Sequence, residues 1–129
     1  MAVNIILIDT SILIDYFRKS DKANSRLISL IKRGYRFHIS SITEYEIYAG
    51  SSSVQQSFWE QLLEKTEVVP FNKQTAKVAV EINSELKRKR KQIAIADLFI
   101  AATAISNGLP FATLNLKHFE RIDNLLIVE

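Results

Sequence analysis

The run Val3-Asn4-Ile5-Ile6-Leu7-Ile8 constrains this chain more than any other segment. It is short, β-branched and almost without polar–apolar alternation. A strand of that kind is covered on both faces, as in parallel sheets flanked by helices. The run ends on the polar triplet Asp9-Thr10-Ser11. Asp9 is therefore expected at the carboxyl end of a strand, just before a helix starting near Ser11, on the edge where open α/β sheets bind ligands. The structural alternative is an N-cap, accepting from the amides of Ser11 and Ile12.

Strand and helix patterns alternate along the rest of the chain. Helices are expected from Ser11 to about Arg18 and from Lys22 to Arg33, the second ending at Gly34. Arg36–Ile39 reads as strand two. Ser41 or Thr43 would cap a helix running through Ile47 to Gly50, and Phe58, Trp59, Leu62 and Leu63 mark the apolar face of the next. Val68–Phe71 reads as strand three, Pro110–Thr113 as strand four and Leu125–Val128 as strand five. Between them lie an amphipathic helix from Thr75 to about Lys89 and an apolar one from Leu98 to Ser106, where Ala102 and Ala104 permit close packing. This order predicts a three-layer α/β/α domain around a mostly parallel five-stranded sheet, with residues 1–129 as a single domain.

Composition narrows the function. With 129 residues and 47% apolar content the chain can bury a proper core. It has no Cys, which excludes a disulfide framework and a thiolate metal site and fits a reducing cytoplasm. No apolar run approaches the roughly 20 residues that span a bilayer, so no membrane association is expected. The net charge of +3 permits a polyanionic partner, and Lys87-Arg88-Lys89-Arg90-Lys91 gathers much of the positive charge. That run reads either as a solvated helix end or as a phosphate-contacting patch, with Lys87, Arg88, Arg90 and Lys91 the RNA-contacting candidates.

Two further acids interrupt apolar surroundings, Glu46 in Tyr45–Ala49 and Asp97 in Ile95–Ala101. A carboxylate there must be paired, hydrogen-bonded or metal-bound, although Asp97 could also be the N-cap of its helix. If Asp9, Glu46 and Asp97 converge at the carboxyl edge of the sheet, the cluster raises its own pKa values unless a divalent cation neutralises it. An all-oxygen site suits Mg²⁺, with Mn²⁺ as a substitute, and such ions activate water at a phosphodiester. Ser11 could orient a water or bond Asp97, while Asp15 reads as a solvated or salt-bridged residue.

These residues carry a family resemblance. Leu7–Asp15, with its strand followed by Asp-Thr-Ser, resembles the opening motif of the PIN-domain family, and within it the VapC-type ribonuclease toxins of bacterial toxin–antitoxin pairs. Ile42–Gly50 is similar to the family's acidic helix, in which a glutamate stands four residues before a glycine. That spacing selects Glu46 over Glu44. Asp97–Ala104 resembles the third motif and Leu109–Phe119 the closing one. The chain departs from the pattern in one respect. Many members carry a fourth acid at the position of Asn115 or His118, whereas no Asp or Glu lies between Asp97 and Glu120. Thr113 and Asn115 could supply hydroxyl and amide oxygens instead, while His118 reads as a surface residue ahead of a core Phe119, with contact to the scissile phosphate or the RNA backbone as the alternative.

The resemblance implies an Mg²⁺-dependent endoribonuclease that cuts a transfer or ribosomal RNA. It implies a VapB-type antitoxin partner that blocks the acidic pocket, and a homodimer or toxin–antitoxin hetero-oligomer. Tyr45, Tyr48, Phe58 and Trp59 are candidates for those surfaces, though core packing explains most of them. Two rivals are weighed against this reading. A phosphate-accepting receiver domain would need an acid after strand three, where Pro70-Phe71-Asn72-Lys73 has none. A PIN-like module that binds RNA or protein without cutting is the stronger rival, since fold does not guarantee chemistry.

Overall fold

A computed structural model describes residues 4–129; Val3, expected to open the first strand, lies outside them. Strand β1 (Asn4–Ile8) runs into α1 (Thr10–Arg18). After a 3-10 turn at Lys22–Asn24 come α2 (Arg26–Lys32), β2 (Tyr35–Ser40), α3 (Ser41–Gly50), α4 (Ser53–Glu64) and β3 (Glu67–Val69). The chain closes with α5 (Lys73–Arg88), α6 (Ile95–Ser106), β4 (Phe111–Ala112) and α7 (Leu116–Phe119). The sheet order is β3-β2-β1-β4 and every pairing is parallel.

Period-two side-chain alternation in β1 builds two cores. Ile6 and Ile8 join Ile12, Leu13, Leu30, Ile39, Ile47 and Trp59 on one face. Leu7 faces the other way, toward Ile100, Ala101, Ala104, Phe111 and Phe119. Ile6, Leu7 and Ile8 are each at most 1% exposed, so the strand is covered on both sides as its sequence requires. The α/β/α layering holds.

The fifth strand does not form. Leu125–Val128 makes a single parallel bridge, Phe111 to Ile127. The cause is the brevity of β4. The carbonyls of Pro110 and Ala112 face β1, accepting from the amides of Leu7 (2.8 Å) and Asp9 (3.1 Å). Only Phe111 turns its amide and carbonyl outward, to Leu126 O and Val128 N, both at 2.8 Å. One outward residue supports one bridge.

Other boundaries shift for local reasons. The stretch Lys22–Arg33 is not one helix, because the Ser25 hydroxyl accepts from the Ile28 amide and restarts the chain as α2. Ser40, rather than Ser41 or Thr43, caps α3, its Oγ accepting from the Thr43 amide at 3.0 Å. Helix α6 begins at Ile95, three residues earlier than expected, with Ala94 at the cap position. Gly34 and Gly108 adopt φ of +95° and +63° just past α2 and α6, the left-handed conformation that favours glycine at a helix end. No helix among the described residues is long and apolar enough to cross a membrane.

The end of α1 is held by a lysine. The Lys22 ammonium donates to the carbonyls of Tyr16 (2.9 Å), Phe17 (2.9 Å) and Lys19 (3.0 Å). It also lies 5.2 to 5.8 Å from the ring centroids of Tyr16, Phe17 and Phe58. Charge-assisted bonds to helix-terminal carbonyls satisfy acceptors that have no intrahelical partner. Lys22→Met keeps the aliphatic stem and removes the donors. It is expected to cost about 2 kcal/mol in urea unfolding; a loss below about 0.5 kcal/mol, the range of an ordinary surface change, would refute this role.

Candidate active site

The chain reverses its direction of travel across the sheet between β1 and β4: β2 and β3 extend one way from β1, and β4 lies on the other side. Side chains at the carboxyl ends of those two strands therefore meet in the crevice. The register Leu7↔Phe111 and Ile8↔Ala112 brings the next residues, Asp9 and Thr113, side by side. A cleft of about 630 Å³ opens there, and its lining includes Asp9, Ser11, Glu46, Asp97 and Asn115. The three acids that the sequence selects from three separate elements thus line one cleft.

Asp9 is 3% exposed. One carboxylate oxygen accepts from Ser11 Oγ at 2.5 Å and from the Ile12 amide at 3.3 Å, and the other from Thr113 Oγ1 at 2.5 Å. Asp9 thus caps α1 through the Ile12 amide, with Ser11 donating by its hydroxyl and not its amide, while the same carboxylate lines the cleft. All of its donors are neutral. Burial pushes its pKa above the ordinary aspartate value, and the charge of Asp97 pushes the same way; the bonds from Ser11, Thr113 and Ile12 oppose both. Ser11 binds Asp9 and not Asp97, a correction that follows from its place two residues beyond Asp9. Its hydroxyl also accepts from the Leu114 amide at 3.0 Å, tying α1 to the segment after β4. The Thr113 hydroxyl accepts from the Asn115 amide at 2.9 Å, which fixes Asn115 at the cleft wall.

Glu46 has a partner that sequence reasoning missed. Thr10 Oγ1 donates to Glu46 Oε1 at 2.6 Å and lies 3.1 Å from the Thr43 hydroxyl. Thr10 therefore serves the site as well as the start of α1. Asp97 lies in the first turn of α6 and does not cap it, so its carboxylate is free of the helix terminus. It faces His118 Nδ1 at 3.3 Å instead. Asp15 accepts from the Arg26 amide at 2.9 Å and pairs with Lys19 at 3.7 Å, in keeping with a structural role.

The donor set suits a hard cation. It is all oxygen, and the buried Asp9 has only neutral donors around a carboxylate that sits near a second one. Among the described residues, no three His, Cys, Asp or Glu side chains are gathered closely enough, as they stand, to hold an ion. Each acid is instead held by its own neighbour: Asp9 by Ser11 and Thr113, Glu46 by Thr10, Asp97 by His118.

The basic run lies elsewhere. Lys87, Arg88, Arg90 and Lys91 sit at and beyond the end of α5 and do not line the acidic cleft. Arg88 pairs with Glu85, and Lys89 reaches Asp123 at 2.8 Å. The positive charge that does line the cleft is that of Arg18 and Lys19. Ser11, Asp15 and Arg18 recur at helical spacing, and that recurrence could have revealed them. Of the aromatic surface candidates, Trp59 is only 2% exposed and belongs to the core with Phe58 packed on it, whereas Tyr45 is 71% exposed.

Comparison with known proteins agrees with this fold. The family model described as the PIN domain matches residues 6–125. Ribonuclease VapC1 of Methanocaldococcus jannaschii is 35% identical over 119 residues, covering 91% of this chain and 80% of that protein. Ribonuclease VapC10 of Mycobacterium tuberculosis is 31% identical over 120 residues, covering 93% and 90%. The crystal structure of VapBC2 from Rickettsia felis, bound to a DNA fragment from its promoter, superposes with a TM-score of 0.83 at 27% identity and covers 96% of this chain and 97% of that one. The matched length and the identities lead to one conclusion: the chain belongs to the PIN-domain family, beside the VapC ribonucleases.

Proposed function

We propose that this chain is a metal-dependent endoribonuclease acting in the cytoplasm as the toxin of a toxin–antitoxin pair. Asp9, Glu46 and Asp97 would hold Mg²⁺, or Mn²⁺ in its place. The observation that carries this reading is the buried Asp9 carboxylate, beside Asp97 and without a cationic partner among the described residues, in the crevice between β1 and β4. When bound, the ion would lower the pKa of a water and offset charge gathering on the phosphate.

The chain's own residues prepare that chemistry. Ser11 and Thr113 fix both oxygens of Asp9, so the carboxylate has little freedom to reorganise. Thr10 orients Glu46, and Asn115, which lines the cleft, is one of the two positions, with His118, at which many family members carry a fourth acid. Attack by solvent water needs no 2′-hydroxyl, so the cut would leave a 5′-phosphate. The substrate would be a transfer or ribosomal RNA, with Lys87, Arg88, Arg90 and Lys91 meeting phosphates outside the cleft. A VapB-type antitoxin would cover the acidic pocket, in a homodimer or a mixed assembly. The neutral Asn115 is the one feature that favours a module that binds without cutting.

Induced expression in a bacterial host separates the two. Wild type should arrest growth and create discrete new 5′ ends in total RNA, and Asp9→Asn should abolish both. Arrest that persists in the variant would reject the acidic cleft as its source. A folded wild type giving neither arrest nor new ends would favour the non-cutting module.

A further inference from the structure

Asp9, Asp15, Glu46 and Asp97 line the cleft with more formal negative charge than one Mg²⁺ would offset, so cationic side chains at its rim would help to draw a phosphate in. Two cations share the lining, Arg18 and Lys19. Lys19 is engaged, its ammonium 3.7 Å from Asp15. Arg18 makes no salt bridge among the described residues and is exposed to solvent.

Its location is specific in two further ways. Arg18 also lines a narrow side cleft of about 150 Å³, walled by Phe17, Ile47 and Trp59, and is shared with the acidic cleft together with Ile14 and Glu46. It therefore stands where the two clefts join. In addition, the Lys22 ammonium binds the carbonyls of Tyr16, Phe17 and Lys19, so the backbone on both sides of Arg18 is tied down. A guanidinium carried on an anchored backbone presents a planar fork that matches two phosphate oxygens, which an ammonium cannot match.

We infer that Arg18 binds the phosphodiester next to the one that is cut, holding the RNA strand at the junction of the two clefts. The inference rests on the nuclease reading above. The structural alternative is that Arg18 only complements the carboxyl end of α1, a role that lysine would fill as well.

The test uses the full chain and a fluorescein-labelled single-stranded RNA of mixed sequence. Binding is followed by anisotropy with Ca²⁺ in place of Mg²⁺ to suppress turnover, across a range of salt concentrations. Arg18→Gln is expected to weaken binding roughly 10-fold and to flatten the log–log salt slope by about 0.7, the share of one phosphate contact on a single strand. Arg18→Lys should keep the slope and lose part of the affinity. On a cleaved RNA with Mg²⁺, Arg18→Gln should raise KM and leave kcat nearly unchanged. If wild type cuts RNA and Arg18→Gln matches it in KM, affinity and salt slope, Arg18 is not the phosphate ligand and the nuclease reading stands. If wild type neither binds nor cuts any RNA offered, including total cellular RNA, both readings fall together.

Discussion

Asp9→Asn is expected to abolish RNA cleavage while raising the melting temperature of the metal-free protein at neutral pH. The activity loss should exceed the roughly 100-fold that follows from removing a supporting group at a metal site, because Asp9 would be a ligand itself. The gain in stability follows from burial. The folded state raises the Asp9 pKa above the unfolded value of 3.8, chiefly by desolvation and further by Asp97. The folded chain therefore binds the proton more tightly than the unfolded one. The cost of the carboxylate is absent below about pH 3.8 and grows as pH rises from there through the folded pKa, above which it is fully present. An amide of the same shape carries no such charge. The expected gain is about 1 kcal/mol, or about 4 °C for a domain of this size.

The measurement is a pair of melting curves in chelator at pH 7 and at pH 3.5. The variant's advantage should be present at the first and gone at the second. Adding Mg²⁺ at about 100 times its dissociation constant should stabilise wild type by about 2.7 kcal/mol and leave Asp9→Asn almost unmoved. A variant that melts below wild type at pH 7 in chelator would mean that the bonds from Ser11 and Thr113 outweigh the cost of burial.

Phe119→Ala should cause the largest loss of stability. Phe119 is fully buried, its ring 4.7 Å from that of Phe111, in the core under the β4 side of the sheet. Truncation removes the ring's transfer free energy and leaves a cavity that helices α6 and α7 can only partly close. The expected cost is about 4 kcal/mol, a large share of the 5–15 kcal/mol that holds a typical domain together. Chemical denaturation should show a lower midpoint with the slope unchanged. A cost near that of an ordinary surface change would mean that α7, only four residues long, repacks freely. His118 is the internal control, since His118→Ala next door alters an exposed side chain and should leave the midpoint nearly unchanged.

The strand most visible in the sequence was β1, whose last three residues, Ile6 to Ile8, are buried on both faces. The β1 pattern names both its own two-sided burial and the place of Asp9, because a strand covered on both faces cannot tolerate polar residues and must end where they begin. Strand β4 and its neighbour were not legible in the same way. Pro110–Thr113 and Leu125–Val128 are both apolar enough to be strands, yet pairing depends on which backbone groups face outward, and that is set by Pro110 and the two-residue length of β4. Helix starts were missed at α3 and α6 for a similar reason. Ser40 and Ser41 are equivalent as letters, and only the turn of the chain out of β2 decides which one caps.

The site divides along the same line. Sequence alone selected the three acids that line the cleft, because Asp9, Glu46 and Asp97 stand at motif spacing in apolar surroundings, where an unpaired carboxylate is costly. Tertiary structure alone decided what surrounds them. Thr10 reaches Glu46 across 36 positions, Thr113 reaches Asp9 across 104 and His118 meets Asp97 across 21. Arg18 came into the cleft, and the run from Lys87 to Lys91, conspicuous as charge, stayed outside it. A residue's type and local spacing report the cost of burying it. Its partners depend on the register of strands and the packing of helices that lie far apart in the chain, and those are settled only when the sheet has closed around β1.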